Sequence, residues 1–161
     1  MTFTKQFPVY LLFLLFILLI SCSGEQVIYE KYHKFDNLSW NRFDYLNFEV
    51  EFEDVESEYD VYLVVRHIPE IPYKKMLVNL VIYSPAGGMR TANHDLWFVD
   101  EQGKSLSECM GDLCDIEFLV RQSYSVSEPG IVKFEVENKY TKVEMPGIIE
   151  VGLIVREAEK E

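Results

Sequence analysis

Between positions 46 and 53 the chain alternates strictly, with Leu46, Phe48, Val50 and Phe52 interleaved with Asn47, Glu49, Glu51 and Glu53. A period of two sends the first set to one face of a strand and the second to the other, so this segment predicts a strand with one buried and one wet face. Val61, Leu63 and Val65, and then Val78, Leu80 and Ile82 after the Pro69 to Pro72 punctuation, read as more deeply buried strands. Ile116, Phe118 and Val120 form another, followed by Val132, Phe134 and Val136 with Lys133, Glu135 and Glu137 facing out, and by Ile149, Val151, Leu153 and Val155. Weaker strands near Val27–Tyr32 and Asp95–Val99 bring the expectation to about eight. Turn chemistry separates them at Ser84-Pro85-Ala86-Gly87-Gly88, Glu101-Gln102-Gly103-Lys104, Glu128-Pro129-Gly130 and Met145-Pro146-Gly147. No long stretch shows capped apolar spacing of three and four, so helices should be minor or absent. The pattern predicts an all-β domain of two antiparallel sheets packed face to face, with a closed barrel as the alternative.

The first residues follow different rules. Lys5 precedes an apolar run from Val9 to Ile20 that ends in Ser21-Cys22-Ser23-Gly24. This reads as a bacterial secretory signal peptide over residues 1–21. Twelve apolar residues rise only about 18 Å as a helix, short of the ~30 Å hydrocarbon core. Leu19-Ile20-Ser21-Cys22 resembles the lipobox of bacterial lipoproteins, in which the cysteine is joined to diacylglycerol and becomes the new N-terminus. Cys22 is therefore the expected lipidation site, residues 22–26 a short tether, and residues 27–161 a single domain. Several acyl chains hold where one alone is marginal, so the chain is anchored to a membrane without spanning it. Ser23 rather than Asp after Cys22 resembles an outer-membrane destination, and the absence of an acidic run in Ser23-Gly24-Glu25-Gln26 favours the periplasmic face.

Charge narrows the partners. The 161 residues carry a net charge of −12, and without residues 1–21 the remaining 140 stand at −13. An acidic domain repels phosphate, which disfavours a free-standing nucleic-acid binder and favours partners with a basic face. Ten Tyr, 11 Phe and two Trp are too much aromatic surface for a disordered chain.

The search for chemistry returns little. His33, His67 and His94 occur singly, without zinc-site spacing. There is no Gly-x-Ser-x-Gly elbow, phosphate loop or dinucleotide fingerprint. Glu49, Glu51 and Glu53 share a strand face and suit a hydrated surface rather than an acid–base pair. Asp112, Asp115, Glu108 and Glu117 do not match a calcium-loop spacing. Cys109 and Cys114 flank Met110-Gly111-Asp112-Leu113 as if across a four-residue turn; in an exported domain they are candidates for a disulfide, with a redox-active pair as the alternative that the absence of Cys-x-x-Cys spacing disfavours. Trp40, Tyr73 and Trp97 lie near strand ends, where they either line a contact patch or close the ends of the core.

Several landmarks, taken in order, resemble the gliding-motility lipoprotein GldH family of the Bacteroidetes. Val27-Ile28-Tyr29-Glu30-Lys31-Tyr32 followed by Trp40 looks like its opening aromatic segment. The strand Tyr62–Arg66, with Arg66-His67 and then Pro72-Tyr73, is similar to its Leu-x-Leu-Arg strand and Tyr-Pro-Tyr turn, with Ile71 replacing the first Tyr and Lys75-Met76 standing for the usual Asn-Leu. Ser84-Pro85-Ala86-Gly87 parallels its Ser-Pro-Asp-Gly turn. Asp95, Asp100–Lys104 and Gly111-Asp112-Leu113 resemble its middle block, although Ser105-Leu106-Ser107 replaces a Trp-Leu-Gly element. Phe134–Glu137, Met145-Pro146-Gly147-Ile148 and Val151-Gly152-Leu153 look like its closing strands, while Asn138, Tyr140 and Thr141 depart from Gln-x-Met-Arg.

The resemblance implies an outer-membrane lipoprotein required for gliding motility, an assembly or stabilising component among Gld lipoproteins and the type IX secretion machinery, with no enzymatic activity and no cofactor. Trp40, Arg66, Tyr73, Trp97 and Asp112 are the residues offered for a partner or ligand surface. An envelope-anchored carbohydrate- or peptide-binding β-sandwich is the competing reading, and it requires Trp40, Tyr73 and Trp97 to line one groove.

Overall fold

The structure, a computed structural model, describes residues 26–158. Residues 1–21, read as a signal peptide, and Cys22 lie outside the described residues. Eleven strands follow one another: β1 (Val27–Lys34), β2 (Ser39–Asn41), β3 (Leu46–Phe52), β4 (Tyr59–His67), β5 (Lys75–Tyr83), β6 (Met89–Trp97), β7 (Glu108–Met110), β8 (Leu113–Tyr124), β9 (Gly130–Asn138), β10 (Glu144–Pro146) and β11 (Ile148–Glu157). No helix occurs among the described residues. A five-stranded sheet, β1-β11-β4-β8-β7, and a four-stranded sheet, β3-β9-β5-β6, form a sandwich-like arrangement with a small β10-β2 ribbon, every pairing antiparallel.

The strands predicted by periodicity are all present, and the three additions, β2, β7 and β10, are three residues each. Segments that short carry too little alternation to announce themselves. The strand expected near Asp95–Val99 instead covers Met89–Trp97. Its burial explains the shift: Met89 to Asn93 are all exposed, so no apolar period marks them.

The facing sheets bury Phe48, Phe52, Leu63, Leu80, Phe134 and Leu153 almost completely. Removing each such side chain from water is worth about 1.5–3 kcal/mol. Phe52 meets Tyr59 and Tyr124 edge-on at 4.8 and 5.7 Å, sealing one end of the core. The central strands β4 and β11 are buried on their inner face and half-buried on the outer one. Val64 and Ile154, on the outer side, are covered by their own neighbours, among which Tyr32 lies over Gly152 and the Arg156 guanidinium stands 4.6 Å from the Tyr62 ring centre. This covering of the outer side is why Val61–Val65 and Val151–Val155 read as runs without a charged residue.

Cys109 and Cys114 are directly opposed in the β7–β8 ladder and joined by a disulfide with 4.0 Å between their α carbons. The ladder continues through Met110 and Leu113, so the connection is a two-residue turn, Gly111-Asp112, rather than four residues. Gly111 has φ +63°, the positive value that the first position of a tight hairpin turn requires.

Candidate interaction surface

The antiparallel ladders give the sandwich two unlike ends. Val27 pairs with Arg156, and Arg156 with Asp60, so the start of β1 and the finish of β11 lie together. The connections at this end, residues 53–58, 84–88 and 125–129, contain Glu53, Asp54, Glu56, Glu58 and Glu128 and no Lys or Arg. All five acids are exposed. At the opposite end Lys34, Glu150, Arg66 and Asp115 are aligned across four strands, and the loops 35–45, 68–74, 98–107 and 139–147 gather there.

That far end presents apolar side chains to solvent. Phe43 is 67% exposed, Val143 64% and Leu38 47%. The β2–β10 ribbon sets two of them side by side: Trp40 pairs with Met145, and the Arg42 N–H donates to the Val143 carbonyl at 2.8 Å, placing the Phe43 turn beside Val143, while Leu38 lies at the other end of the ribbon. The turn is held from within. Trp40 is fully buried, stacks on Phe35 at 5.8 Å, and its indole Nε1–H donates to the Asp44 carbonyl at 2.8 Å. Asn41 Nδ2 donates to the Asp44 carboxylate at 2.9 Å. Buried Asn138 donates from Nδ2 to the Trp40 carbonyl at 3.1 Å and accepts from the Tyr140 N–H at 2.8 Å. Asn138, noted in the sequence only as a departure, is thus the polar link between β9 and β2.

Leu38 is held with φ +48°, a left-handed conformation that costs a side-chain-bearing residue about 1–2 kcal/mol. Its carbonyl accepts from the Gly147 N–H at 2.7 Å, which fixes it against the start of β11. Gly147, at φ +86°, sits where a Cβ would fall 2.9 Å from Ile71 and 3.2 Å from Ile68. A shallow groove lined by Pro72, Tyr140, Lys142, Val143, Glu144 and Pro146 adjoins the ribbon.

The residues singled out in the sequence have different fates. Trp40 is a core residue, which corrects its candidacy for a partner or ligand surface: it supports the surface from beneath and touches nothing outside. Tyr73 is partly buried, packs against Phe98 and Tyr140 at 5.8 Å each, and donates its hydroxyl to the Pro146 carbonyl at 2.9 Å. Burial raises the pKa of that phenol well above the usual tyrosine value. Trp97 projects from the outer face of β6, with the Lys75 ammonium 5.0 Å from its ring centre. The three rings therefore occupy three settings and share no groove.

Arg66 is engaged within the fold. Its Nε and Nη2 grip both oxygens of Asp115 at 2.8 and 3.0 Å, and Nη1 reaches Glu150 at 3.1 Å, tying β8, β4 and β11 together. Asp112 is exposed in the hairpin turn beside Met110, which is 88% exposed. His67 is buried between the Ile68 carbonyl and the Ser107 hydroxyl, each 2.7 Å from a ring nitrogen, and burial lowers its pKa. Among the described residues, no group of three or more His, Cys, Asp or Glu is placed to hold a metal ion.

No curated protein matches the chain. Two solved structures of infectious bursal disease virus, the VP2 subviral particle and the Gx strain, are similar at TM-scores of 0.34 and 0.31 with 10% identity. They cover 84% and 82% of this chain, which spans only 34% and 30% of theirs. The sequence model of the GldH lipoprotein family matches residues 27–155. That match runs from the first residue of β1 almost to the end of β11, taking in every strand described above, and the chain belongs to the GldH lipoprotein family of gliding-motility, membrane-anchored envelope proteins.

Proposed function

We propose that this protein is a non-catalytic docking subunit, anchored through Cys22 to the periplasmic face of the outer membrane, that assembles or stabilises its companions among the Gld lipoproteins and the type IX secretion machinery. The observation that carries this reading is the opposition of the two ends. The chain enters β1 at Val27, at the same end as the exposed acids of residues 53–58, and the exposed Leu38, Phe43 and Val143 stand at the other end. With a tether of residues 22–26, the short run of chain between the anchor and β1 keeps the acidic end nearest the membrane. The apolar end is then offered away from the membrane. Anchoring also confines the protein to one plane with other anchored proteins, raising their effective concentration.

Exposed apolar residues rimmed by polar ones are the usual mark of a protein contact. The test is co-purification from crosslinked outer membranes with a tag placed after Glu161. Because Ala158 lies at the membrane-proximal end, the tag leaves the far end clear. Wild-type protein should recover Gld or type IX components, and Phe43→Glu/Val143→Glu should lose them while remaining in the membrane. A Cys22→Ala chain should lose both membrane retention and motility function. Normal motility and secretion in a deletion strain, or the same companions on the doubly substituted chain, overturn the reading.

A further inference from the structure

At the end of the sandwich where the chain enters β1, the β5–β6 connection and the segment that follows β8 enclose a groove of about 320 Å³. Pro85, Met89 and Arg90 line one side of it, and Tyr124, Ser125 and Ser127 the other. Its volume is at the small end of the range for ligand sites. No Asp or Glu lines it. It lies at the opposite end from Phe43 and Val143, so what it holds is independent of the docking proposed above.

Tyr124 is the fixed point of the groove. Its ring is 4% exposed and is held edge-on against Phe52 and Phe134 at 5.7 and 6.0 Å. Its hydroxyl makes no hydrogen bond to any described residue, although a phenol so deeply buried ordinarily finds a partner. The exposed hydroxyls of Ser125 and Ser127 are also without a partner among the described residues, whereas Ser84 is occupied with Gly88.

Two guanidiniums act on the same spot. Arg90 shares the inner side of β6 with buried Leu96, by the alternation of the strand. On β8, register shifts on either side of Val61 set Arg121 directly across from that fully buried residue. Cross-strand partners point the same way, so the irregularity turns Arg121 inward rather than onto the outer face. The charges felt at the Tyr124 hydroxyl are both positive: Arg90 and Arg121 pull its pKa down against the upward push of burial. Among the described residues neither arginine pairs with a carboxylate, whereas Arg66 and Arg156 do. In a chain of net charge −12, two such arginines beside an unpartnered phenol make a local site rich in donors and in positive charge.

A tetrahedral phosphate matches this set, because its oxygens accept from two guanidiniums, a phenol and the serine hydroxyls at once, where a planar carboxylate offers only two oxygens. We propose that the groove binds a phosphate group, with Arg90 and Arg121 as its counter-charges and the Tyr124 hydroxyl as the donor that orients it. A soluble phosphate ester and the headgroup of a phospholipid at the membrane surface share this chemistry.

Thermal unfolding and calorimetry of the full-length protein in an uncharged, phosphate-free detergent test the site. Sodium chloride at matched ionic strength is the reference, since any salt screens the self-repulsion of an acidic chain. The probes are inorganic phosphate, glycerol 3-phosphate and dihexanoyl phosphatidylglycerol. Saturable stabilisation by either of the first two marks a soluble ligand, and stabilisation by the lipid alone marks a headgroup. Arg90→Gln/Arg121→Gln and Tyr124→Phe keep the exposed positions polar and the ring in place, so both should melt with the wild type when no probe is present. Each should bind the probe more weakly, by about tenfold for every donor lost. Stabilisation by all three probes no greater than by chloride, or equal affinity in the wild type and Arg90→Gln/Arg121→Gln, overturns the proposal.

Discussion

Trp40 and Asp44 are joined by a 2.8 Å hydrogen bond that runs from a fully buried indole to the backbone of a surface turn. Between them in sequence lies Phe43, one of the most exposed apolar residues of the chain. The core thus positions the face that the protein shows to its surroundings. Trp40→Phe keeps much of the packing but removes the donor, and should cost about 1 kcal/mol. Trp40→Ala also empties a large site and should cost about 3–5 kcal/mol. Urea unfolding measures both, and loss of companions by Trp40→Phe without loss of membrane-bound protein would tie the hydrogen bond to docking.

The disulfide between Cys109 and Cys114 closes a loop of six residues at an exposed corner. Loop-closure entropy gives it about 2 kcal/mol. Reduction, or paired Cys109→Ser/Cys114→Ser, should lower stability by that amount and free the β7 edge, with no change in the remainder of the five-stranded sheet. Thiol titration of unreduced protein lacking Cys22 should find no free thiol, and hydrogen exchange should report increased opening confined to residues 105–114.

The ring of Tyr32 lies directly against Gly152, leaving no room for a Cβ. Its hydroxyl donates to Glu30 at 2.8 Å, and burial together with that carboxylate pushes its pKa up to about 12. Gly152→Ala must displace the ring and should cost about 1–3 kcal/mol. In a Tyr32→Ala background the same change should cost much less. A double-mutant cycle on thermal unfolding gives the coupling, and additivity of the two changes would contradict the contact.

His67 is buried in its neutral form, and desolvation lowers its pKa below the unfolded value of about 6.5. The unfolded chain therefore takes up a proton at a pH where the folded chain does not. Stability is full above about 6.5 and falls as pH drops from there toward the lowered folded value. His94, also lowered by burial, adds to the same slope. His67→Asn should flatten part of the decline in unfolding free energy below pH 6.5, and an unchanged slope would place the proton uptake elsewhere.

The strands that could be read from the sequence are those whose environment is set by one local rule. Leu46–Phe52 is buried on one side and wet on the other, so its alternation is complete in the amino acids themselves. β6 was misplaced because an exposed edge imposes no apolar period, and β2 and β10 were missed because three residues hold less than two periods. Family membership was legible through the order of turns and apolar alternations. The surface at the far end was not, because its members come from segments near 38, 43 and 143 that only the β2–β10 pairing brings together.

By itself the sequence determined an all-β class, most of the strand positions, the acidic balance and the family, since each depends on spacing along the chain or on order within it. The tertiary structure decided that Trp40 goes inside and Trp97 outside, that Arg66 is spent on Asp115 and Glu150, and that Leu38, Phe43 and Val143 share an end. Those outcomes depend on which strands lie across from one another. Long-range pairing is set by the sum of many weak packing energies over the whole core, which no local pattern records.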